Sequence, residues 1–417
     1  MDEPTRESLA GAARRFGTPV YVYVVDAMLR RFDAVKAALE GRLGISYAVK
    51  ANPNGALLRA MRGKVATLDV SSFGEVRRGL AAGYDPAVLT FSGPAKRPFE
   101  LRGAVEAGVG WMIAESPAEL EQLDALAGEL GRVQKVLVRI NPSRVPRAFG
   151  VNMAGKPSQF GIDEEDMPAL LSRFRGQGWR HLQLDGFHCY SGTNSLSPEA
   201  IGENIGIMAD LFARFADEAD LTPRKLVFGS GFGIPYHGDQ HPLDLAATAA
   251  GVNQQIDRMR KHPRLRDAAC TLEMGRYLVG PDGYLLTSVV GLKHSRGTDI
   301  ALLDAGFNNH LAACGMMGAV IRRNWPIEKV HGDVAAANRE HLLVGPLCTT
   351  IDVLATKIML PALQRGDVLA VTSSGAYGLT ASPTRFISHP EPREVLVTGA
   401  EMTDITPYET SHVGASV

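Results

Sequence analysis

A lysine stands at the end of a short apolar run, where a buried strand would reach its last residue. Lys50 is the last residue but one of the run 45–51, in which it is the only charged residue. A lysine ammonium at this position lies in a largely dry site where its charge is costly, which makes it a candidate for forming a Schiff base with a carbonyl compound. The alternative is a lysine that only extends its charged end to water.

Two further segments combine glycines with charged side chains after apolar runs. Gly229, Gly231 and Gly233 form a glycine-rich turn whose backbone N–H groups could cradle a phosphate, although such a turn also serves simply to reverse the chain. Glu273 can pair with a protonated pyridine nitrogen, and Arg276, three residues further on, can bind phosphate. The alternative for Glu273 and Arg276 is an ion pair that only ties two domains together.

The elements that position these residues alternate between strand-like and helical patterns from about residue 26 to residue 276. Eight short apolar runs predict buried parallel strands at 45–51, 66–70, 88–93, 111–116, 135–141, 181–190, 225–231 and 271–276. Eight amphipathic runs predict helices at 26–39, 54–62, 73–82, 98–107, 117–130, 164–176, 198–218 and 243–260. This alternation predicts a (β/α)8 barrel in the α/β class, whose active site lies at the C-terminal ends of the strands.

A second pattern begins at about residue 277. β-type runs punctuated by glycine and proline replace the helical periodicity and predict a mainly β domain over 277–417. The strand-like run 20–24 precedes the barrel, so residues 1–25 are assigned to the β domain and 26–276 to the barrel. The long irregular segment 143–160 follows the fifth barrel strand, and such loops usually contact an active site.

Composition limits the classes of function. The net charge is −1, from 44 basic and 45 acidic residues, so neither nucleic acid nor an anionic membrane is an expected partner. The N-terminal segment lacks the apolar stretch of a secretory signal, and no apolar run is long enough to span a bilayer. The four cysteines are scattered without CxxC spacing, so we expect no disulfide framework, no metal site and a cytoplasmic location.

Taken in order, these segments resemble a known family, the fold-type III decarboxylases that use pyridoxal 5'-phosphate (PLP), among them diaminopimelate, ornithine and arginine decarboxylases. The resemblance covers nearly the whole chain, from Phe16 to about His389. The motifs that carry it are YAVKAN (47–52), LDVSSFGE (68–75), GFHCYSGTN (186–194), FGSGFG (228–233), EMGR (273–276), GPLC (345–348) and SGAYG (374–378). It implies an alanine-racemase-like barrel with a C-terminal β domain, PLP as the cofactor, and a homodimer with shared active sites.

The resemblance also implies roles for individual residues. Lys50 would hold the cofactor, Glu273 would keep its pyridine nitrogen protonated, and Cys348 of the partner subunit would protonate the carbanion left after loss of CO2. Tyr190 stands where the family has a ring-stacking histidine, and His188 either lines the site or is purely structural. The other cofactor-binding residues that the resemblance implies are Asp69, Arg139, Thr193, Gly231, Gly233, Gly275, Arg276 and Tyr377.

Two departures from the family bear on the substrate. Thr349 stands where the family usually has an acid that holds the substrate's distal amine, and Asp352 or Asp304 are the acids that could compensate. The arginine that binds the distal carboxylate of diaminopimelate is missing after the Asp304-Ala305-Gly306 turn, since the next arginine is Arg322. The candidate substrate-contacting residues are Thr349, Asp352, Asn308 and His310.

The motifs FSGPAK, GPLCT and SGAYGLTASP are most similar to a subgroup that includes the butirosin-pathway L-glutamyl-[acyl-carrier-protein] decarboxylase. A substrate tethered as a thioester needs no distal charge partner, so the leading hypothesis is decarboxylation of an aminoacyl group on an acyl carrier protein in specialised biosynthesis. The alternative is a free amino acid: diaminopimelate, ornithine, lysine or arginine. A basic stretch either docks the acidic carrier or forms the solvated end of a helix: Arg258, Arg260, Lys261, Arg264 and Arg266, with Arg144, Arg147, Arg322 and Arg323 as further candidates.

Two other functions are less consistent with the sequence. Racemases on related barrels tend to place an arginine at the pyridine nitrogen, where this chain has Glu273. A regulator without catalytic activity would be expected to lose cofactor residues, yet Lys50, Glu273, Arg276, Cys348 and Tyr377 are all present.

Overall fold

The computed structural model describes residues 1–146, 151–152, 155–176, 178–316 and 323–407. The chain divides into two compact units. The barrel unit comprises Leu29–Pro235 and His241–Leu278, and the β unit comprises Met1–Met28, Tyr236–Gln240 and the chain from Val279 onward.

Strands and helices are numbered in chain order. The strands are β1 Val20–Val24, β2 Gly44–Ala48, β3 Thr67–Val70, β4 Leu89–Phe91, β5 Trp111–Ala114, β6 Gln134–Asn141, β7 Val151–Asn152, β8 Ile162–Asp163, β9 Leu182–Cys189, β10 Gly192–Thr193, β11 Lys225–Gly229, β12 Ala269–Met274, β13 Gly283–Ser295, β14 Thr298–Leu303, β15 Ile327–His331, β16 Asn338–Val344, β17 Val353–Pro361, β18 Val368–Val371, β19 Arg393–Thr398 and β20 Glu401–Asp404. The α-helices are α1 Glu3–Phe16, α2 Val25–Ala38, α3 Gly55–Ala60, α4 Phe73–Ala81, α5 Pro98–Ala107, α6 Pro117–Glu129, α7 Met167–Arg175, α8 Pro198–Glu218, α9 Leu245–Met259 and α10 Arg276–Val279.

The barrel unit is a closed ring of eight parallel strands, as the sequence predicts. The order around the ring is β2, β3, β4, β5, β6, β9, β11 and β12, and β12 pairs back with β2. The short strand β8 adds to the outside of β6. All eight predicted strands and all eight predicted helices are present, with ends that differ by at most three residues. The (β/α)8 prediction is therefore confirmed.

Serine and aspartate caps explain where several barrel helices begin. The side chains of Ser72, Ser116, Ser197 and Asp244 each accept a hydrogen bond from the backbone N–H three residues further on. A cap of this kind satisfies an N–H group that the first helical turn leaves without a partner. Because each cap closely follows the loop that leaves a strand, it fixes the direction in which the chain leaves the strand's C-terminal end.

The β unit is built on a nine-stranded sheet. Its main path runs β17, β16, β14, β13, β1, β19 and β20, while β18 pairs with both β13 and β15. The N-terminal strand β1 pairs antiparallel with β13 and parallel with β19, so residues 20–24 belong to this sheet. Leu9 of α1 packs with Val22, Leu286 and Val395 in one buried apolar cluster.

The structure adds elements that the sequence pattern does not predict. These are the helices α1 and α10, the short strands β7, β8 and β10, and the strands β15, β17, β19 and β20. Helix α1 buries only a narrow stripe of small residues and Leu9, which gives a weak periodic signal. Among the described residues, none of the helices combines the length and the apolar character that crossing a bilayer requires.

Candidate active site

The C-terminal ends of the barrel strands bring together most of the predicted cofactor residues. Lys50 lies in a short 3-10 turn directly after β2 and is partly exposed. Its Nζ is 3.7 Å from Oδ2 of Asp69, the last residue but one of the neighbouring strand β3. The same Nζ is 5.9 Å from the centroid of the Tyr190 ring. The lysine thus faces both a carboxylate and an aromatic ring.

Asp69 is almost completely buried in β3. Its Oδ1 accepts a hydrogen bond of 2.7 Å from the Ser92 hydroxyl at the end of β4. Burial, reinforced by the negative charge of Glu273, raises the pKa of Asp69 to about 7, against the opposing effect of Lys50. A carboxyl group with this pKa changes its protonation near neutral pH.

Glu273 in β12 lies against His188 in β9. His188 Nε2 is 3.2 Å from both carboxylate oxygens, and both side chains are buried. Burial alone would raise the pKa of Glu273, but the charges of His188, Lys50 and Arg139 outweigh it and lower the pKa. Glu273 is therefore held as a carboxylate, the form that can accept a hydrogen bond from a pyridinium.

Glu75 supplies a third carboxylate near Lys50. Its Oε2 accepts a hydrogen bond of 2.7 Å from the Ser71 N–H, and its own N–H donates to the hydroxyl of Ser72 at the start of α4. Burial raises the pKa of Glu75, while the Ser71 N–H and Lys50 oppose the shift. Glu75 therefore fixes the loop between β3 and α4, which lies near Lys50.

Arg139 in β6 is engaged in a buried ion pair. Its Nη1 donates to both oxygens of Glu115, at 3.0 and 3.2 Å, and its guanidinium lies 4.6 Å from the centroid of the Phe160 ring. Glu115 also accepts hydrogen bonds from the N–H groups of Gly93 and Gly161. In this arrangement Arg139 organises the loops after β4 and β6, and a direct cofactor contact stays a prediction.

The glycine-rich turn after β11 leaves no room for side chains. Gly231 has φ +68°, a conformation that favours glycine. A Cβ at Gly229 would lie 2.4 Å from a ring carbon of Tyr190, and a Cβ at Gly233 would lie 2.7 Å from backbone atoms of Asn194 and Ser195. The turn is thus packed tightly against the chain segment that follows β9.

Thr193 and Gly275 lie on two separate backbone segments. Thr193 lies in β10, which pairs antiparallel with β7. A Cβ at Gly275 would lie 2.8 Å from the Cβ of Ala51, so this glycine lets β12 end close to the turn that carries Lys50. Arg276 follows at the start of α10.

This set of groups fits PLP. Lys50 can bind the aldehyde, the Glu273 carboxylate suits the ring nitrogen, and the Tyr190 ring offers an aromatic face beside the lysine. Among the described residues, Asp69 Oδ2 and His188 Nδ1 are buried atoms without a hydrogen-bond partner, which is consistent with a polar ligand at this end of the barrel. The same part of the chain contains no group of three or more His, Cys, Asp or Glu side chains that could hold a metal ion.

The remaining predicted residues belong to the β unit. Cys348 and Thr349 lie in the turn after β16, where Cys348 is exposed. The Asp352 carboxylate accepts hydrogen bonds of 2.8 Å from the N–H groups of Phe307 and Leu347, so it joins two loops of this unit. Tyr377 has φ +53° in the loop after β18.

His310 and Asn308 are buried within the β unit. His310 Nε2 lies 3.1 Å from the Ser374 hydroxyl, and its ring packs edge-on against Trp325. Burial lowers the pKa of His310 to about 3, so the ring is neutral. These surroundings favour a structural role for His310. Asn308 has a buried side-chain amide with no hydrogen-bond partner among the described residues.

Several arginines of the basic stretch 258–266 form ion pairs with acidic residues. Arg258 pairs with Asp210, and Arg264 pairs with Asp217 and Asp220, all on the outside of the barrel. Arg260 donates to the backbone oxygen of Arg266. The other candidates fall into two groups: Arg144 and Arg323 pair with Glu203 and Asp239, while Arg147 and Arg322 lie outside the described residues.

Two polar residues of the site were missed from the sequence. Glu115 and Ser92 follow the ends of β5 and β4; Glu115 lies in no motif of the resemblance, and Ser92 lies in the FSGPAK motif without a role assigned to it. Their position at strand ends, the same signal that indicated Lys50, could have identified them.

A closed parallel barrel with a lysine, a carboxylate and a glycine turn at its C-terminal mouth defines a PLP enzyme of the barrel type. Residues 25–280 match the pyridoxal binding domain of the pyridoxal-dependent decarboxylases. The chain belongs to this family, and it is a PLP-dependent carboxy-lyase of fold type III.

Similar proteins with known names cover nearly the whole chain. It is 35% identical to the diaminopimelate decarboxylase of Pseudomonas aeruginosa over 97% of this chain and 93% of that protein. It is 31% identical to the L-glutamyl-[BtrI acyl-carrier protein] decarboxylase of Niallia circulans, over 93% of this chain and 90% of that protein. The crystal structure of the diaminopimelate decarboxylase from M. jannaschii in complex with L-lysine superposes with a TM-score of 0.87 at 25% identity, covering 95% of this chain and 91% of that one.

Proposed function

We propose that this PLP-dependent decarboxylase acts on an amino acid tethered as a thioester to an acyl carrier protein. The observation that carries the proposal is the engagement of the two acids that could replace the missing one at Thr349. The Asp304 carboxylate accepts hydrogen bonds from the Ser288 N–H and from the hydroxyls of Thr287 and Thr18. The Asp352 carboxylate is used by two backbone N–H groups.

These contacts argue against a substrate with a free distal ammonium group. An ammonium ion in a partly dry pocket needs a charged partner, because an unpaired charge there is expensive. Thr349 has no charge, and recruiting Asp304 or Asp352 would break hydrogen bonds that hold the β unit together. A thioester has no distal charge and needs no such partner. The similarity to the Niallia circulans enzyme, whose name gives a carrier-bound glutamyl substrate, supports the same interpretation.

The residues at the barrel mouth have separable roles in this proposal. When bound, PLP supplies a protonated pyridine ring that takes up the electron pair left by the departing CO2. Lys50 would be the covalent anchor, and Tyr190 would offer its aromatic face to the ring. Glu273 is kept charged by His188 and holds the proton on the ring nitrogen. The residues proposed to hold the phosphate are Gly231, Gly233, Gly275, Arg276, Thr193 and Tyr377.

Asp69 and Arg139 are proposed to act on the electrostatics of the site. Asp69 lies 3.7 Å from Lys50 Nζ, and because its pKa is raised to about 7, the charge beside the lysine changes near neutral pH. Arg139, paired with Glu115, contributes to the positive field that keeps Glu273 charged. Neither role requires a direct bond to the substrate.

The proposal includes a homodimer with shared active sites. Cys348 is exposed on the surface of its own chain, so it could reach the active site of another subunit. Cys348 of the partner subunit would deliver a proton to the substrate's α-carbon after CO2 has left. Thr349 would then face the distal end of the substrate, and Asn308, His310 and Asp352, which are buried within the β unit, would support the loops behind it.

A free diamino acid is the second candidate substrate. The observation that favours it is the 35% identity to the Pseudomonas aeruginosa diaminopimelate decarboxylase, over more of this chain than the carrier-specific relative covers. This candidate requires another group to bind the distal end of the substrate.

Mass spectrometry on two substrate sets in parallel separates these candidates. The PLP-loaded enzyme is incubated with free diaminopimelate, ornithine, lysine, arginine and glutamate, and separately with a carrier protein loaded with aminoacyl groups, glutamyl first. Loss of one CO2 only from carrier-bound species is the expected result. Loss from a free diamino acid and from no carrier-bound species would overturn the proposal.

A Thr349→Glu variant sharpens the same experiment. It restores an acid at the family's usual position, so turnover of a free diamino acid should rise, while turnover of the carrier-bound substrate should fall. Thr350→Glu is the matched control, because it adds the same charge one residue further on. Equal effects of the two variants would show that position 349 does not select the distal group.

A further inference from the structure

Below the cofactor-facing residues, the barrel interior carries three hydroxyl groups without a protein partner. Ser46, Thr67 and Thr271 are at most 5% exposed, and their hydroxyl oxygens have no hydrogen-bond partner among the described residues. A buried hydroxyl without a partner is costly, so native proteins usually supply one, often an ordered water molecule.

Strand register places these hydroxyls next to two carboxylates. Ser46 of β2 lies opposite Thr67 of β3 on one side and opposite Glu273 of β12 on the other. Thr271 is two residues before Glu273, and Thr67 is two residues before Asp69, so each pair shares the interior face of its strand. The five side chains therefore form one continuous polar surface inside the barrel.

Lys225 adds a buried cation to the same interior. It is 3% exposed and lies two residues before Val227, which packs with Ile113 and Leu137 inside the barrel. Its Nζ is 4.5 Å from the centroid of the Trp111 ring. Among the described residues, no oxygen atom accepts a hydrogen bond from this Nζ, although an ammonium group has three hydrogens to donate.

The two sides of the barrel interior thus differ in chemistry. The side formed by Ile113, Leu137 and Val227 is apolar and closely packed. The other side presents the short side chains of Ser46, Thr67 and Thr271 next to the carboxylates of Asp69 and Glu273, and Lys225 lies on β11, which pairs with the strand that carries Thr271 and Glu273. Water is the ligand that such a surface selects, because it donates to carboxylates and hydroxyls and accepts from an ammonium.

We propose that an ordered cluster of water molecules, bound by Ser46, Thr67, Thr271 and Lys225, connects the Lys225 ammonium to the carboxylates of Asp69 and Glu273. Lys225 and the three hydroxyls are positioning residues that act through this water. They help to keep Glu273 charged without touching the cofactor. The inference rests on the proposed function only in taking Glu273 as the cofactor-facing carboxylate.

Several other charged groups act on these carboxylates and must be included when a pH dependence is interpreted. Lys50 and Glu75 act on Asp69, His188 and Arg139 act on Glu273, and Asp185 and Cys270 act on Lys225. Burial lowers the pKa of Lys225 to about 8, so at pH 7 most of this lysine is still charged.

A high-resolution crystal structure of the holoenzyme tests the water cluster directly. Water within hydrogen-bonding distance of at least two of the three hydroxyls, and of Lys225 Nζ, is the expected result. An interior without ordered water there would overturn the proposal. This readout uses no substrate, so a wrong substrate class would leave it unchanged.

Thermal unfolding of Thr67→Val and Thr271→Val holoenzymes tests whether the hydroxyls have partners in solution. If water is bound, each valine removes a hydrogen bond and lowers the Tm by about 2–4 °C. If the hydroxyls have no partner, valine removes a cost and the Tm rises, which would overturn the proposal. Thr90→Val provides the reference for a satisfied hydroxyl, since buried Thr90 donates to the Leu68 carbonyl at 3.2 Å.

Lys225→Met tests the electrostatic link. Losing a cation disfavours the charged forms of Asp69 and Glu273, so their pKa values should rise, and the pH titration of the bound cofactor's absorbance should move upward by about 0.5–1 unit. Lys135→Met is the matched control: Lys135 lies 5.6 Å from the same Trp111 ring but is exposed. Equal shifts in both variants, or none in Lys225→Met, would refute the link.

Discussion

Two lysine–aspartate pairs, one at the mouth of the barrel and one inside the β unit, consist of the same chemical groups. They differ in the distance between the charges and in the exposure of the lysine. Lys50 Nζ lies 3.7 Å from Asp69, and the Lys50 side chain is 45% exposed. Lys329 Nζ lies 2.7 Å from Asp367, with side chains that are 1% and 2% exposed. The first pair is loose and accessible, whereas the second is tight and dry.

The difference shows which pair serves stability and which serves chemistry. Lys329 also donates to the Ala362 carbonyl, and Asp367 also accepts from the Gln364 N–H, so both charges have further hydrogen bonds. A buried pair completed in this way is fixed in position. Lys50 is left accessible to a carbonyl compound, and the carboxyl group beside it has a pKa raised to about 7.

The largest expected effect comes from Lys50→Ala. Turnover should fall by at least about four orders of magnitude, because the covalent anchor of the cofactor is lost. The absorbance of bound PLP should disappear with it. The melting temperature of the apoprotein should stay close to that of the unmodified chain, since this pair is loose.

Cys348→Ala is the control for Lys50→Ala. It should slow turnover by about two to four orders of magnitude, the range for a proton donor, and leave cofactor absorbance nearly intact. Equal loss of PLP binding in both variants would contradict the roles proposed for the two residues.

The next effect concerns the buried pair of the β unit. Asp367→Asn leaves the Lys329 ammonium buried without a counter-charge and should lower the free energy of unfolding by about 3–5 kcal/mol, measured by urea denaturation. The double variant Lys329→Met/Asp367→Leu should recover most of this loss, because both charges are then replaced by apolar groups. A single variant as stable as the double one would show that the pair is not a structural unit.

A pH-dependent effect is expected from Asp69→Asn. The folded-state pKa of Asp69 lies above its ordinary value, so the carboxyl group favours folding below pH 4, and this contribution is lost as the pH rises to about 7. The neutral asparagine has no such loss, so the variant should gain on the order of 4 kcal/mol relative to the unmodified apoprotein between pH 4 and 7. A stability difference that does not change with pH would contradict the raised pKa.

The smallest effect is expected at the surface. Arg258 pairs with Asp210 through side chains that are about half exposed, so Arg258→Ala should change the free energy of unfolding by less than about 1 kcal/mol. A several-fold higher KM for a carrier-bound substrate, without a change in kcat, would instead indicate that Arg258 contacts the carrier.

The sequence predicts the barrel well because each strand is a short apolar run and each helix a separate amphipathic run. It predicts Lys50, Glu273 and the glycine turn because they stand at strand ends. Lys225 could not be assigned in this way, since it stands at the start of β11 and its importance depends on what surrounds it inside the barrel. The strands β15, β17, β19 and β20 were missed because they carry charged or polar residues among the apolar ones.

The substrate is harder to predict than the cofactor site for a physical reason. Cofactor residues lie on regular barrel strands, whose register fixes their neighbours. The residues proposed to face the distal end of the substrate lie in loops of the β unit, where Asp352 could equally bind a ligand or hold two loops together. Only the hydrogen bonds seen in the folded chain distinguish these uses.

The pairing of β1 has a consequence for how the protein is made. Strand β1 leaves the ribosome early, but its parallel partner β19 follows roughly 370 residues later. At elongation rates of about 5–20 residues per second, the apolar segment VYVYV waits roughly 20 to 70 seconds for that partner. During synthesis this strand has no sheet partner until β13 emerges and keeps one open edge until β19 follows, so chaperones can bind it there, and recombinant yield should depend on how well it is shielded.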